Sequence, residues 1–336
     1  MRLGVGSWLA ASASLCLTWA ATVRSPSEAS AILDALLRGV PERAGAEPGK
    51  KPTPTSDGLP TFVSDVRLVN LSVSVYDRSG RPEPGVKPEE FEVLEDGVPQ
   101  KVSVAGSEEI PFNLVLLLDL SGSTMRDRVA MREAARGFVR ITRPQDRVAV
   151  CALSSDEFRV ISPLTSDRKL LLELIDGIPD LEGSTPLYAA IVLAWDEELA
   201  RRPQERNALV VISDGIDDSL EQKKTTVPFD RLRRAAALMP ALIYPIYLDS
   251  RNIFYGERAL RQMRELAEAS GGRLFSARSP KLLMPVYAEV AAELRSVHTL
   301  AYYPKNQNFD GRWRRIQVRV TRPNLRLRTR PGYFAR

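Results

Sequence analysis

Four runs of the chain are apolar almost without a break: Leu114–Leu118, Val148–Leu153, Ala208–Ile212 and Leu242–Leu248. A strand with no polar alternate is buried on both faces, as in a parallel sheet. Between and after these runs the period lengthens to that of a helix. It predicts helices over Met125–Ile141, Arg168–Ile175, Pro186–Leu199, Phe229–Met239, Arg258–Ser270 and Lys281–Arg295. In the first, Val129, Ala135, Phe138 and Val139 form an apolar stripe with Arg and Glu opposite. Ser270-Gly271-Gly272 is a helix stop. Strands alternating with helices over residues 111–296 predict an α/β fold, a doubly wound and mainly parallel sheet.

The flanks have period two instead. Val69, Leu71, Val73 and Val75 alternate with Asn70, Ser72 and Ser74, and Phe91–Glu95, Asp96-Gly97 and Val98–Val102 read as strand, turn, strand. These belong to an N-terminal β segment, 61–107. A C-terminal β segment, 297–336, carries Thr299–Tyr303, Arg314–Val320 and Leu325–Thr329, the last two expected as a hairpin through Thr321–Asn324. Neither segment alone buries enough surface, so the two are expected to pack together as one small β-sandwich bracketing the α/β domain. Residues 22–60 read as a disordered tether. Within it Ala31–Val40 could form a short helix, and Pro41–Pro60 is rich in Pro, Gly, Lys and Thr.

Residues 1–21 have the pattern of a secretory signal peptide. Arg2 precedes an apolar stretch from Trp8 to Leu17, and small residues follow at Ala20-Ala21. The alternative is an uncleaved anchor, for which the stretch is short against the ~20 residues a bilayer span needs. The chain is therefore expected to be exported, to the periplasm, the medium or the cell surface, with no stable membrane span once the leader is removed. The cleaved chain would keep one cysteine, Cys151, and so could hold no internal disulfide. The formal net charge is +5, and nine arginines lie between Arg312 and Arg336 with no Asp or Glu among them. Such a run would attract a polyanion. It also fits a solvated strand face, because Ile316, Val318 and Val320 alternate with Arg315, Gln317 and Arg319. There is little aromatic interleaving, and no nucleic-acid partner is expected.

The first apolar run ends in Asp119-Leu120-Ser121-Gly122-Ser123. Three oxygen side chains at the end of a buried strand stand where open α/β sheets bind ligands. Hard oxygen donors without His or Cys suit Mg²⁺ or Mn²⁺ better than Zn²⁺. Ser121, Ser123 and Thr124 could instead cap the next helix, and Ser213-Asp214-Gly215 could be a plain turn. The pattern Asp-x-Ser-x-Ser resembles the metal-ion-dependent adhesion site (MIDAS) of the von Willebrand factor A (VWFA) family. Gly183-Ser184-Thr185-Pro186-Leu187-Tyr188-Ala189-Ala190 resembles the family's second loop, and Leu209–Ser213 followed by Asp214-Gly215 its third. The resemblance implies a Rossmann-like VWFA fold and a site formed by Asp119, Ser121, Ser123, Thr185 and Asp214 around Mg²⁺, or Mn²⁺ or Ca²⁺. The flanking Tyr76–Gly80, Phe91–Gly97 and Arg330-Pro331-Gly332-Tyr333-Phe334 are also similar to a group of exported bacterial proteins with a VWFA-related domain, over roughly residues 62–336.

What the resemblance implies is divalent-cation-dependent protein binding, adhesion-type, in which the metal bridges to a partner's Asp or Glu. A structural envelope role with a stabilising metal is the alternative, and a metal-dependent hydrolase a more remote one. Enzyme motifs are missing: there is no Gly-x-Ser-x-Gly elbow, phosphate loop or dinucleotide fingerprint. The single histidine, His298, is far in sequence from all three loops. Asp217 and Asp218, just past the third loop, could tune the field of the site or support its ligands as a pair, and read better as exposed loop acids.

Overall fold

A computed structural model describes residues 22–38, 68–83, 85–106, 110–154, 157–178, 186–217, 227–248, 254–277 and 282–335. The long apolar runs become β6 (Phe112–Asp119), β7 (Arg147–Ser154), β9 (Arg206–Ser213) and β10 (Leu242–Leu248). All eight residues of β6 are buried, as are all eight of β9. That is why their sequences carry no polar alternation. With β1 (Val23–Arg24), β8 (Glu157–Thr165) and β11 (Phe275–Ala277) they form a seven-stranded sheet in the order β1-β8-β7-β6-β9-β10-β11. The strands from β7 to β11 are parallel, while β8 and β1 add an antiparallel edge.

Helices cover both faces. On one side α2 (Arg128–Ile141), α3 (Arg168–Asp176) and α7 (Leu283–Ser296) pack on Leu114, Leu116 and Leu118. On the other, α1 (Glu28–Leu37), α4 (Leu187–Glu198), α5 (Phe229–Ala236) and α6 (Gly256–Ser270) cover Val115 and Leu117. Helix α4 is buried at every position from Leu187 to Trp195, since α1 and α5 cover its outer side. Its sequence is accordingly apolar all round.

The tether reading fails for residues 22–38. Strand β1 pairs with β8, Ala29 and Leu33 of α1 are fully buried, and Arg24 reaches Asp196 at 2.8 Å and Glu197 at 3.1 Å. The helix runs over Glu28–Leu37 rather than Ala31–Val40. Ten residues are too few to be stable alone in water, so the sequence signal is weak and docking supplies the rest. The stretch 41–60 and the leader 1–21 lie outside the described residues.

The flanking segments pack as two four-stranded sheets. One has the order β14-β2-β12-β5 and the other β15-β13-β3-β4. The N-terminal segment gives β2 (Val69–Tyr76), β3 (Phe91–Glu95), β4 (Val98–Gln100) and β5 (Val102–Gly106). The C-terminal segment gives β12 (His298–Tyr302), β13 (Trp313–Val320), β14 (Arg326–Arg328) and β15 (Gly332–Phe334). Leu71, Val73, Val93, Leu300, Tyr302 and Ile316 fill the space between the sheets. Asp96 (φ 47°) and Gly97 (φ 82°) make the primed turn that the sequence called for between β3 and β4.

The expected hairpin of Arg314–Val320 with Leu325–Thr329 does not form. β13 pairs with β3 and β15, whereas β14 crosses to the other sheet and pairs with β2. Asn324, at φ 68°, sits in the link between them. Part of the arginine run is paired with acids outside it. Arg322 meets Glu90 at 2.8 Å and Glu83 at 3.4 Å, Arg319 meets Glu92 at 3.8 Å, and Arg328 pairs with the buried Glu293 of α7.

Candidate metal centre

Register places the site. Leu118 of β6 lies beside Ile212 of β9, so the next residues, Asp119 and Ser213, are neighbours where both strands end. The Ser213 hydroxyl donates to Asp119 Oδ2 at 2.5 Å, and the Ser121 amide donates to Asp119 Oδ1 at 3.1 Å. Asp119 and Ser121 are fully buried and Asp214 is 5% exposed. Ser121 Oγ and Ser123 Oγ are 3.2 Å apart, with Ser123 on the solvent side. The centre therefore has a buried floor and an open rim.

The loop is held in shape by Thr124, in a role other than the expected cap, and by Arg128, which the sequence reading did not assign. Thr124 Oγ1 donates to Asp119 O at 2.6 Å and to Ser121 O at 3.2 Å. Arg128, 4% exposed in the first turn of α2, donates through Nη2 to Leu120 O at 2.6 Å and Ser121 O at 3.2 Å. Neither Thr124 nor Asp127 makes a side-chain cap on the helical turns that follow. The capping half of the alternative has no side-chain cap behind it, since the Thr124 hydroxyl serves the loop, while the amide bonds to Asp119, Ser213 and Asp214 are also those of turns. In the third loop Ile216 N donates to Asp214 Oδ1 at 3.2 Å, Gly215 N donates to Ser213 Oγ at 2.8 Å, and Gly215 turns the chain at φ 75°.

Asp217 is 3% exposed, not the exposed loop acid of the sequence reading, and Asp218 lies outside the described residues. The Asp217 carboxylate is drawn inward by a free helix amide: Tyr188 N donates to its Oδ2 at 2.9 Å. Of the five expected ligands, Asp119, Ser121, Ser123 and Asp214 stand on the described loops, and Thr185 lies outside the described residues.

Burial, and then the nearby charge of Asp214, push the Asp119 carboxyl up to about 7, with the Ser213 and Ser121 hydrogen bonds pulling the other way. Two buried carboxylates close enough to feel each other's charge are an arrangement a divalent cation relieves. Every donor is oxygen, which suits Mg²⁺ or Mn²⁺. Among the described residues no three His, Cys, Asp or Glu side chains converge, so a cation here would depend on hydroxyls as well as on Asp119 and Asp214. The residues fit such an ion.

Residues 114–216 match the von Willebrand factor type A domain. The chain thus carries a domain of that type, as an α/β unit with a mainly parallel sheet and an added antiparallel sandwich. Similar solved structures include the von Willebrand factor type A protein from Catenulispora acidiphila, at 13% identity and a TM-score of 0.47, covering 82% of this chain and 65% of that one. The vWF domain of the type V pili tip protein Mfa5 from Porphyromonas gingivalis is similar at 12% identity and a TM-score of 0.42, covering 54% of this chain and 94% of that one. An aerotolerance-related membrane protein from Bacteroides fragilis is similar at 16% identity and a TM-score of 0.43, covering 55% and 98%. No curated protein matches the chain. Among the described residues no helix is long and apolar enough to cross a membrane.

Proposed function

We propose that the chain is a divalent-cation-dependent protein-binding module of an exported protein. The observation that carries this reading is the fully buried Asp119 carboxylate at the end of β6, held by the Ser213 hydroxyl and the Ser121 amide, beside a rim that opens toward solvent at Ser123. Asp119, Ser121, Ser123 and Asp214, with Thr185 from the second loop, would hold Mg²⁺ or Mn²⁺. The ion would supply a positive charge at the rim, where an outside carboxylate could complete its oxygen shell. The partner is then a protein presenting Asp or Glu. Export rests on the leader-like pattern of residues 1–21.

Binding is favoured over catalysis because the chain's one histidine stands away from the ends of β6 and β9. The single His298 is buried in β12 of the sandwich, its Nε2 3.2 Å from Glu83 O. The test is calorimetric titration of the full chain with Mg²⁺ and Mn²⁺ beside Asp119→Ala. One saturable site that disappears in the variant is expected. Equal binding by the variant would move the metal elsewhere. A metal-dependent rise in melting temperature with no metal-dependent partner would favour a structural ion.

A further inference from the structure

Helix α4 starts without a cap of its own. Its N-cap residue is Pro186, which makes no side-chain cap, so the first-turn amides need an acceptor from elsewhere. Asp217 provides one, through the 2.9 Å bond from Tyr188 N. Asp217 lies three residues beyond Asp214 on the same loop, and α4 begins two residues after Thr185. One buried carboxylate therefore joins the third loop to the helix that follows the second.

The attachment is firm at both ends. Tyr188 is 3% exposed, its hydroxyl donates to Gln262 Oε1 on α6 at 2.8 Å, and its ring lies 5.6 Å from that of Phe229. Because α4 is buried along its length, its first turn has little freedom to shift alone. On the other side Gly215 packs close against α6: a Cβ there would come within 2.6 Å of Met263 Sδ and 3.2 Å of Ala259 Cβ.

We propose that Asp217 is a positioning residue of the metal centre, holding the Asp214 loop in fixed relation to the start of α4 and so setting the affinity for a divalent cation. This rests on the metal reading above. It separates two things the carboxylate could do. If its role is position, an acceptor oxygen in the same place suffices and the charge does not matter. If its role is the electric field, the charge alone matters.

Magnesium titration of the full chain distinguishes these with four variants. Asp217→Asn keeps an oxygen in place and loses the charge. Asp217→Glu keeps the charge and moves the oxygen by one methylene. Asp217→Ala loses both. Asp167→Ala is the control: Asp167 Oδ1 accepts from Leu170 N at 3.1 Å and caps α3. It lies beyond the end of β8 that pairs with the start of β7, at the opposite end of the strands from the metal loops. Ala and Glu at 217 are expected to weaken magnesium binding about tenfold, as loss of a supporting partner does at other metal sites. Asn should stay close to the parent. Asp167→Ala should lower the melting temperature and leave affinity unchanged. Parent-like binding by Asp217→Ala or Asp217→Glu overturns the inference, and so does a loss in Asp217→Asn as large as in Ala. A parent that does not bind magnesium overturns the metal reading itself, and this inference with it.

Discussion

Asp119 has its charge where water cannot reach it, and the cost appears as a proton. Its folded pKa of about 7 lies above the ordinary aspartate value near 3.9, so the native state holds that proton more tightly than the unfolded chain. Between about pH 4 and pH 7 the native state therefore binds more protons, and stability falls as pH rises. In chelator-treated buffer the melting temperature of the parent should drop from pH 5 to pH 7.5 by more than that of Asp119→Asn, which has no proton to lose. Thermal melts of the pair check this, and parallel pH curves would contradict the raised pKa. The residues of the site were unevenly legible. Asp119 and Asp214 announce themselves because an apolar run stops at an oxygen. Arg128 and Asp217 do not, because an Arg in a first helical turn and an Asp in a loop read as solvated. Their roles depend on which backbone atom each reaches, the carbonyls of Leu120 and Ser121 or the amide of Tyr188, and only the folded chain decides that.

Elements repeat the lesson at larger spacing. The parallel strands were legible because burial on both faces leaves an unbroken apolar run. Strand β8 was available to a reading by alternation, with Phe158, Val160 and Ser162 buried between more exposed neighbours. The partner of β14 was not available, since an apolar/polar alternation says which face is buried and not which strand lies alongside. A four-residue link resembles a hairpin whether the chain folds back or crosses to the second sheet. The helix stop at the end of α6 was read correctly, and the structure adds why it takes two glycines. Gly271 is left-handed at φ 86°, and a Cβ on Gly272 would stand 2.0 Å from Ile243 O in β10. That obstacle is backbone, so Gly272→Ala must push α6 off the sheet. A loss of about 1–3 kcal/mol is expected from overpacking of this kind. Urea unfolding measures it, and an unchanged midpoint would mean that the α6–β10 seam yields without cost.

At the scale of the whole molecule, the type A domain is inserted between the two halves of the sandwich, and residues 22–38 reach around to its far edge. The docking of α1 should outlast a broken chain. A protease site introduced between α1 and β2 and then cut should leave 22–38 bound, because Ala29 and Leu33 are buried and Arg24 is paired with Asp196 and Glu197. Co-elution of the peptide with the remainder in gel filtration, followed by mass spectrometry, is the expected result. Its loss at moderate protein concentration would show that the covalent link is what keeps it there.

The bracketing of one unit by the other also sets a schedule. Gly106, which closes β5, and His298, which opens β12, are roughly 190 residues apart, yet β5 and β12 are neighbours in one sheet. At about 5–20 residues per second, a ribosome needs on the order of 10–40 s to deliver the second after the first. Throughout that interval Val69, Leu71, Val73 and Val75 have an apolar face and no strands beside them, while the domain in between has all it needs to close. The first strands of the sandwich to be synthesised are thus the last to be finished, and a chain cut short before β12 would leave them permanently open to the nearest sticky neighbour.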